Sequence, residues 1–340
     1  NQSNDPVHTR MLSGVQNILP FGVTTLLQTT FSNLLNAYKR SELEMESGLG
    51  IFSLSSTLTD LAEPSESLKA STAWQVGLDN PVHLLSSMQM DHFRKGAEIT
   101  NETDIRGLRG AYLLNKGITI AGDEKTHWSF VLDVDQDSAD IAARVNLLKR
   151  PAKEITAEIE TDIALGSQIL NAIIASADGL QVSGDRLSCA HHYANVLFNT
   201  MRGGIFTRNY QVGKADLIDF LHTRNRTVLE RQTAFLDGLP DAFSIADLLA
   251  QAGRSSDPDL ERLCSEYLPL TFSRRHGDPS RPWNKFSINV KNRDGSKVLD
   301  YQGNWRDIFQ NWEALCLSFP EYLEGVIGKF VNTTTADGYN

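Results

Sequence analysis

Residues 303–311, Gly-Asn-Trp-Arg-Asp-Ile-Phe-Gln-Asn, gather more binding chemistry than any other short stretch of this chain. Arg306 sets a planar guanidinium beside the carboxylate of Asp307, and Gln310 and Asn311 add carboxamides about one turn later. Such groups offer paired donors and acceptors that suit vicinal sugar hydroxyls. The flat apolar faces of Trp305 and Trp312 suit a pyranose ring. On a helix, positions 306 and 310 are neighbours, because residues three and four apart meet on one face. The plainer reading of the same residues is a helix start with a surface ion pair, a common and weak feature. Asp307 is a poor candidate for a proton donor, since the adjacent Arg306 favours its ionised form.

A second polar cluster runs from Ser273 to Asn284 and holds Arg274, Arg275, His276, Arg281 and Trp283. Guanidinium groups bind phosphate through two parallel hydrogen bonds, so this loop is a candidate for holding phosphate or a sugar hydroxyl near position 306. The alternative is a solvated basic loop. Against it, Trp283 directly after Pro282 is costly to leave exposed.

Other constellations are weaker. The adjacent His191 and His192 point in different directions on a helix and have no ligand partner at His-x-x-x-His spacing, so a hydrogen-bonded core role is the better reading and no metal site is expected. Asp133, Asp135, Asp137 and Asp140 lack the glycine and terminal glutamate of a calcium loop. They read instead as an acidic strand-to-helix connection that caps a helix from Ser138. Met201-Arg202-Gly203-Gly204 lacks the spacing of a dinucleotide site, and no Gly-x-Ser-x-Gly nucleophile elbow occurs. Cys189, Cys264 and Cys316 are odd in number and widely spaced, which points to neither a disulfide framework nor a zinc site. A reducing cytoplasm is the expected location.

Composition frames these candidates. The 340 residues exceed a single small core and suggest two or three domains. A hydrophobic share of 41% and a charged share of 22% are ordinary for a globular chain. The formal net charge of −10 argues against a nucleic-acid partner, which calls for clustered cations facing phosphates. The longest apolar stretch, near Ile169 to Ala177, falls short of a bilayer span, so no membrane partner is expected.

The elements that position the candidates change character along the chain. From about residue 10 to 134, turn signals at Ser13-Gly14, Pro20-Phe21-Gly22, Ser47-Gly48 and Asp79-Asn80-Pro81 separate short β-branched and apolar runs. Gly22 to Leu27 and Ile51 to Ser56 read as strands of two packed sheets, while Phe31 to Tyr38 fits a helix as well as a strand. Beyond Pro151, apolar residues recur at helical spacing from Glu154 to Ala177 in one amphipathic connector. His191 to Met201 reads as a helix stopped by Gly203-Gly204, and Lys214 to Leu236 as one long helix. Ser244 and Asp247 cap a further helix to Ala252. Ser318 with Glu321 forms a capping box, with Pro320 in the first turn, that opens a helix to about Val331. Paired with a helix from Arg306 to Leu317, it makes an αα-hairpin. Ser273 to Tyr301 remains as a long polar stretch of the kind that is functional when ordered.

The run Trp305-Arg306-Asp307-Ile308-Phe309-Gln310-Asn311 before that hairpin resembles the aromatic-Arg-Asp-x-x-Gln-Asp signature of the cellobiose phosphorylase family of inverting glycoside phosphorylases. Asn311 stands where the family pattern has Asp. Residues 120–148, with Ala121-Gly122-Asp123-Glu124-Lys125 before Phe130-Val131-Leu132, are similar to the last strand of that family's β-sandwich and its following helix. Ala190 to Gly204 is similar to the first inward helix of the family's six-hairpin α/α barrel.

The resemblance implies an α+β multidomain chain with a β-sandwich over 1–150, a helical linker over 151–180 and the first part of an incomplete α/α barrel over 181–340. It implies cleavage or formation of a glycosidic bond with inorganic phosphate as co-substrate, an oligosaccharide or sugar phosphate as partner, no organic cofactor and a homodimer. Arg306, Asp307, Gln310 and Asn311 would then hold the transferred sugar, with Trp305 or Trp312 as the pocket wall. The family's general acid lies on a later barrel segment and is expected beyond residue 340. Two other readings stay open: a non-catalytic carbohydrate-binding or scaffold portion of a larger protein, and a related glycoside hydrolase.

Overall fold

The protein is described by a computed structural model covering residues 1–59, 62, 65–201, 204–271, 292, 294–296 and 305–338, with the side chains of 201 and 305–311 outside that set. The described chain is mixed α/β, with three sheets and thirteen helices. It divides into two compact units, Asn1–Ala164 and Leu165–Asn340. Among the described residues no helix is long and apolar enough to cross a membrane.

In the first unit the order is β1 (Val7–Ile18), α1 (Thr25–Thr30), α2 (Ser32–Ala37), β2 (Lys39–Glu44), β3 (Leu49–Leu54), β4 (Ala70–Val76), β5 (Val82–Leu84), α3 (Met90–Arg94), β6 (Asp104–Arg106), β7 (Gly110–Ile120), β8 (Ser129–Gln136), α4 (Ser138–Leu147) and the start of α5 (Ala152–Ser176). The strands form one sheet of order β1-β7-β5 and another of order β6-β2-β3-β4-β8. Every pairing in them is antiparallel, and β1 runs along β7 from Val7 opposite Ile120 to Ile18 opposite Gly110. Ile18, Tyr112 and Leu114 from the first sheet and Leu43, Phe52 and Ala73 from the second enter one buried cluster. The two sheets therefore share a core, the result expected of strands whose side chains alternate between faces.

Two local expectations meet different outcomes here. Gly22 to Leu27 is not a strand: a turn leads into α1, whose first N–H groups are capped by Thr24 Oγ1 accepting from the Leu27 N–H at 3.1 Å. The capping hydroxyl outweighs the β-propensity of the Val-Thr-Thr run. The helical reading of Phe31 to Tyr38 agrees with α2. The acidic connection after β8 also behaves as read, since Asp137 and Asp140 form a reciprocal capping box on α4.

The second unit contains the rest of α5, then α6 (Arg186–Met201), β9 (Gln211–Gly213), α7 (Lys214–Arg224), α8 (Arg226–Arg231), α9 (Thr233–Asp237), β10 (Ala242–Ser244), α10 (Ile245–Ala252), α11 (Pro258–Glu266), α12 (Trp305–Ser318), a 3-10 turn (Pro320–Tyr322) and α13 (Leu323–Thr333). The expected single helix over Lys214 to Leu236 is instead three short ones. Asn225 adopts φ −158° and its side chain caps α8 by accepting from the Val228 N–H at 3.2 Å, and Gln232 makes the second break at φ −106°. A carboxamide that bonds its own backbone competes with helix continuation.

The expected capping box at Ser318 and Glu321 is also absent. Ser318 ends α12 and its Oγ lies 3.2 Å from His192 Nε2, while the Glu321 carboxylate accepts from the Tyr210 hydroxyl. Tertiary partners have captured both side chains. The core of this unit joins Val196 of α6, Leu217 and Phe220 of α7, Leu260 and Cys264 of α11, and Trp312 and Leu315 of α12. Where α13 crosses α11, Gly325 is required for contact: a Cβ there would sit 2.2 Å from the Ser265 carbonyl oxygen.

Candidate functional site

The first two turns of α12 carry the candidate sugar-binding motif. The side chains of Trp305, Arg306, Asp307, Gln310 and Asn311 lie outside the described residues, as do Arg274, Arg275, His276, Arg281 and Trp283 of the upstream loop. Trp312 is the first motif side chain on view. It is 1% exposed and belongs to the core of the second unit with Leu315 and Phe319. Its spacing of three and seven to those residues makes the inward stripe of α12.

Glu313, Ala314 and Leu317 line one wall of a cleft of about 490 Å³, and Gln181, Ser183, Cys189, His191, His192 and Asn195 line its other side.

α6 is fixed in the cleft wall by polar contacts at its start. Asp185 accepts from the Leu187 and Ser188 N–H groups at 3.0 and 3.2 Å and from the Ser188 hydroxyl at 2.5 Å. The hydrogen bonds from Ser188 hold the Asp185 carboxyl below the usual carboxylate range. His192 Nε2 stands 3.0 Å from the Asp178 carbonyl oxygen and 3.2 Å from Ser318 Oγ. A carbonyl only accepts, so the Asp178 contact assigns a proton to Nε2. This is the hydrogen-bonded histidine expected from the sequence. Ser183 Oγ and Cys189 Sγ lie 3.2 Å apart at the mouth of the same cleft.

Chemically, the cleft offers hydroxyls, carboxamides, imidazoles and a carboxylate, a mixed donor and acceptor set suited to a neutral polyol. Among the described residues Glu313 is the one carboxylate lining it. Among them, too, no group of three or more His, Cys, Asp or Glu side chains is arranged to hold a metal. Gln181, Ser183, Asn195 and Glu313 were not singled out in sequence. Glu313 follows the motif by two residues in sequence. Nothing local marks Gln181, Ser183 or Asn195, because the packing of α6 beside α12 brings them in.

Between these two helices lies β9 to α11. It is tied together by Asp257, which caps α11 and takes bonds from Arg231 Nε and an Arg231 terminal nitrogen at 2.7 and 2.8 Å and from Gln232 Nε2 at 2.7 Å. Tyr267 donates its hydroxyl to the Asp216 carboxylate at 2.5 Å and packs its ring edge on Phe220. Residues 206–269, which cover this whole segment, match the family model of glycoside hydrolase family 149 insertion domain 1. The match suggests a carbohydrate-active protein. No curated protein matches the chain. The matched boundaries agree with the fold, since they begin shortly after α6 ends at Met201 and close just past α11.

Proposed function

We propose that this chain carries the sugar-binding part of a carbohydrate-active enzyme that cleaves or forms a glycosidic bond with inorganic phosphate, inverting the anomeric carbon. The observation that carries the reading is positional. A segment matching a glycoside-hydrolase-family insertion domain sits between α6 and α12, two helices packed against each other, and the Arg306-Asp307 motif opens the second of them. The shared core of the two sheets supports a β-sandwich in the first unit, and the α12–α13 pair supports a helical hairpin of an α/α barrel.

In this mechanism Arg306 and Asp307 hold hydroxyls of the transferred sugar, Gln310 and Asn311 assist, and Trp305 walls the pocket. Phosphate is already an anion and needs no general base, whereas a hydrolase must activate water with a second carboxylate. On this reading the general acid is supplied from another segment. The match to a glycoside hydrolase family favours a second reading, hydrolysis in the cleft lined by Glu313, the described carboxylate nearest the motif in sequence.

An assay on the full-length protein separates the two. A phosphorylase releases phosphate from a sugar 1-phosphate when given an acceptor sugar; a hydrolase releases reducing sugar from an oligosaccharide with no phosphate present. In either case Arg306→Ala is expected to weaken sugar binding about 10- to 100-fold, the loss of a charge-assisted hydrogen bond worth about 1.5–3 kcal/mol, with the melting temperature unchanged. Unchanged sugar affinity in that variant would refute the motif's role.

A further inference from the structure

The first unit contains a cavity with a buried ammonium group in its wall. Its volume is about 430 Å³; Asn17, Ile18 and Leu19 form one part of its wall, and the polar side chains of Thr25, Gln28, Thr29, Ser32, Lys39 and Arg109 the rest. Lys39 opens β2, and the strand's alternation turns it inward on the same side as Ser41 and Leu43, leaving it 2% exposed. Taking an ammonium group out of water costs several kcal/mol unless an opposite charge accompanies it. Here the amine donates to Gln28 Oε1, a neutral carboxamide. Among the described residues no carboxylate stands within ion-pair distance of Lys39 or Arg109. Burial, and secondarily the like charge of Arg109, lowers the lysine's pKa, the direction expected of a buried amine with no anion beside it.

A second, independent observation points the same way. Gln28 Nε2 is buried and has no hydrogen-bond partner. With Oε1 occupied by Lys39, its amide donor is aimed where an acceptor is missing, and an unpaired buried donor costs about 1–3 kcal/mol. Thr25, Gln28 and Thr29 of α1 and Ser32 at the start of α2 add polar side chains to the cavity wall.

We propose that this cavity binds a phosphate dianion, free or esterified to a small molecule. Its oxygens would accept from the Lys39 ammonium, the Arg109 guanidinium, the Gln28 amide and the threonine and serine hydroxyls, which satisfies each of these donors at once. The site does not rest on the sugar-binding reading of α12, and Arg306→Ala leaves it intact.

The test is calorimetric titration of the protein with inorganic phosphate and, separately, glucose 1-phosphate, in chloride buffer at constant ionic strength. Saturable binding of either probe is expected, and whichever binds more tightly identifies the source of the phosphate group. Arg109→Gln, an exposed position that folding tolerates, is expected to weaken that binding at least ten-fold, and Lys39→Met to abolish it while the melting temperature in chloride is kept or raised. The same binding is expected to survive Arg306→Ala. Absence of saturable binding by both probes, or binding of equal strength in the parent, Arg109→Gln and Lys39→Met proteins, would overturn the proposal.

Discussion

Replacing Trp312 with Ala separates two roles that one aromatic residue beside a sugar-binding motif can have. The ring is 1% exposed and packs in the core of the second unit. A buried tryptophan removes roughly 200 Å² from water, of which alanine retains little, so at about 25 cal/mol per Å² the lost transfer energy is about 4 kcal/mol. The cavity left behind brings the total toward the upper end of the roughly 3–5 kcal/mol seen for Trp→Ala in cores. For a unit of this size each kcal/mol moves the melting temperature by about 2–4 °C, so a fall of about 10–15 °C is expected. Trp312→Phe keeps most of the packing and should lose about a third of that. The assay is thermal unfolding followed by near-ultraviolet circular dichroism, with sugar affinity measured below the transition. A variant that melts like the parent but binds sugar more weakly would refute the core assignment and make Trp312 a stacking platform instead.

Two further outcomes follow from the packing of the second unit. In α13, Gly325→Ala should destabilise by about 1–2 kcal/mol, because a Cβ would lie 2.2 Å from the Ser265 carbonyl oxygen and the clash exceeds the gain in helix propensity. Gly328→Ala in the same helix meets nothing within 4 Å and should stabilise by about 0.5–1 kcal/mol, so urea midpoints moving in the same direction would contradict the placement of α13 on α11. Burial pushes the Asp257 carboxyl up, but the bonds from Gln232 and Arg231 outweigh it and leave the group below the usual carboxylate range. Its contribution is therefore present at neutral pH and is lost as pH falls below about 4 toward the lowered folded-state value. Between pH 6 and pH 3 the urea midpoint of the parent should fall more than that of Asp257→Asn; parallel curves would show that the pair contributes nothing.

Much of the architecture was legible in the residues because it rests on local periodicity. The apolar spacing from Glu154 to Ala177 is α5, the Asp137 and Asp140 pair caps α4 and Ser244 caps α10, since each depends on atoms within one or two turns. The helix expected from Arg306 to Leu317 is α12 for the same reason. Where a side chain had a choice of partners, the local pattern misled. Ser318 and Glu321 fit a capping box but bond His192 and Tyr210, each more than 100 residues away. Asn225 and Gln232 broke an apolar stripe that looks continuous from Lys214 to Leu236.

By itself, then, the sequence determined most of the helical segments and several of their caps. Tertiary structure alone decided which segments meet. The cleft wall of Gln181, Ser183 and Asn195, the burial of Trp312, and the meeting of Lys39, Gln28 and Arg109 around one cavity all join residues from separate elements. Periodicity acts over a few residues of chain, while a site is closed by packing between segments, and no spacing rule records which segments will pack.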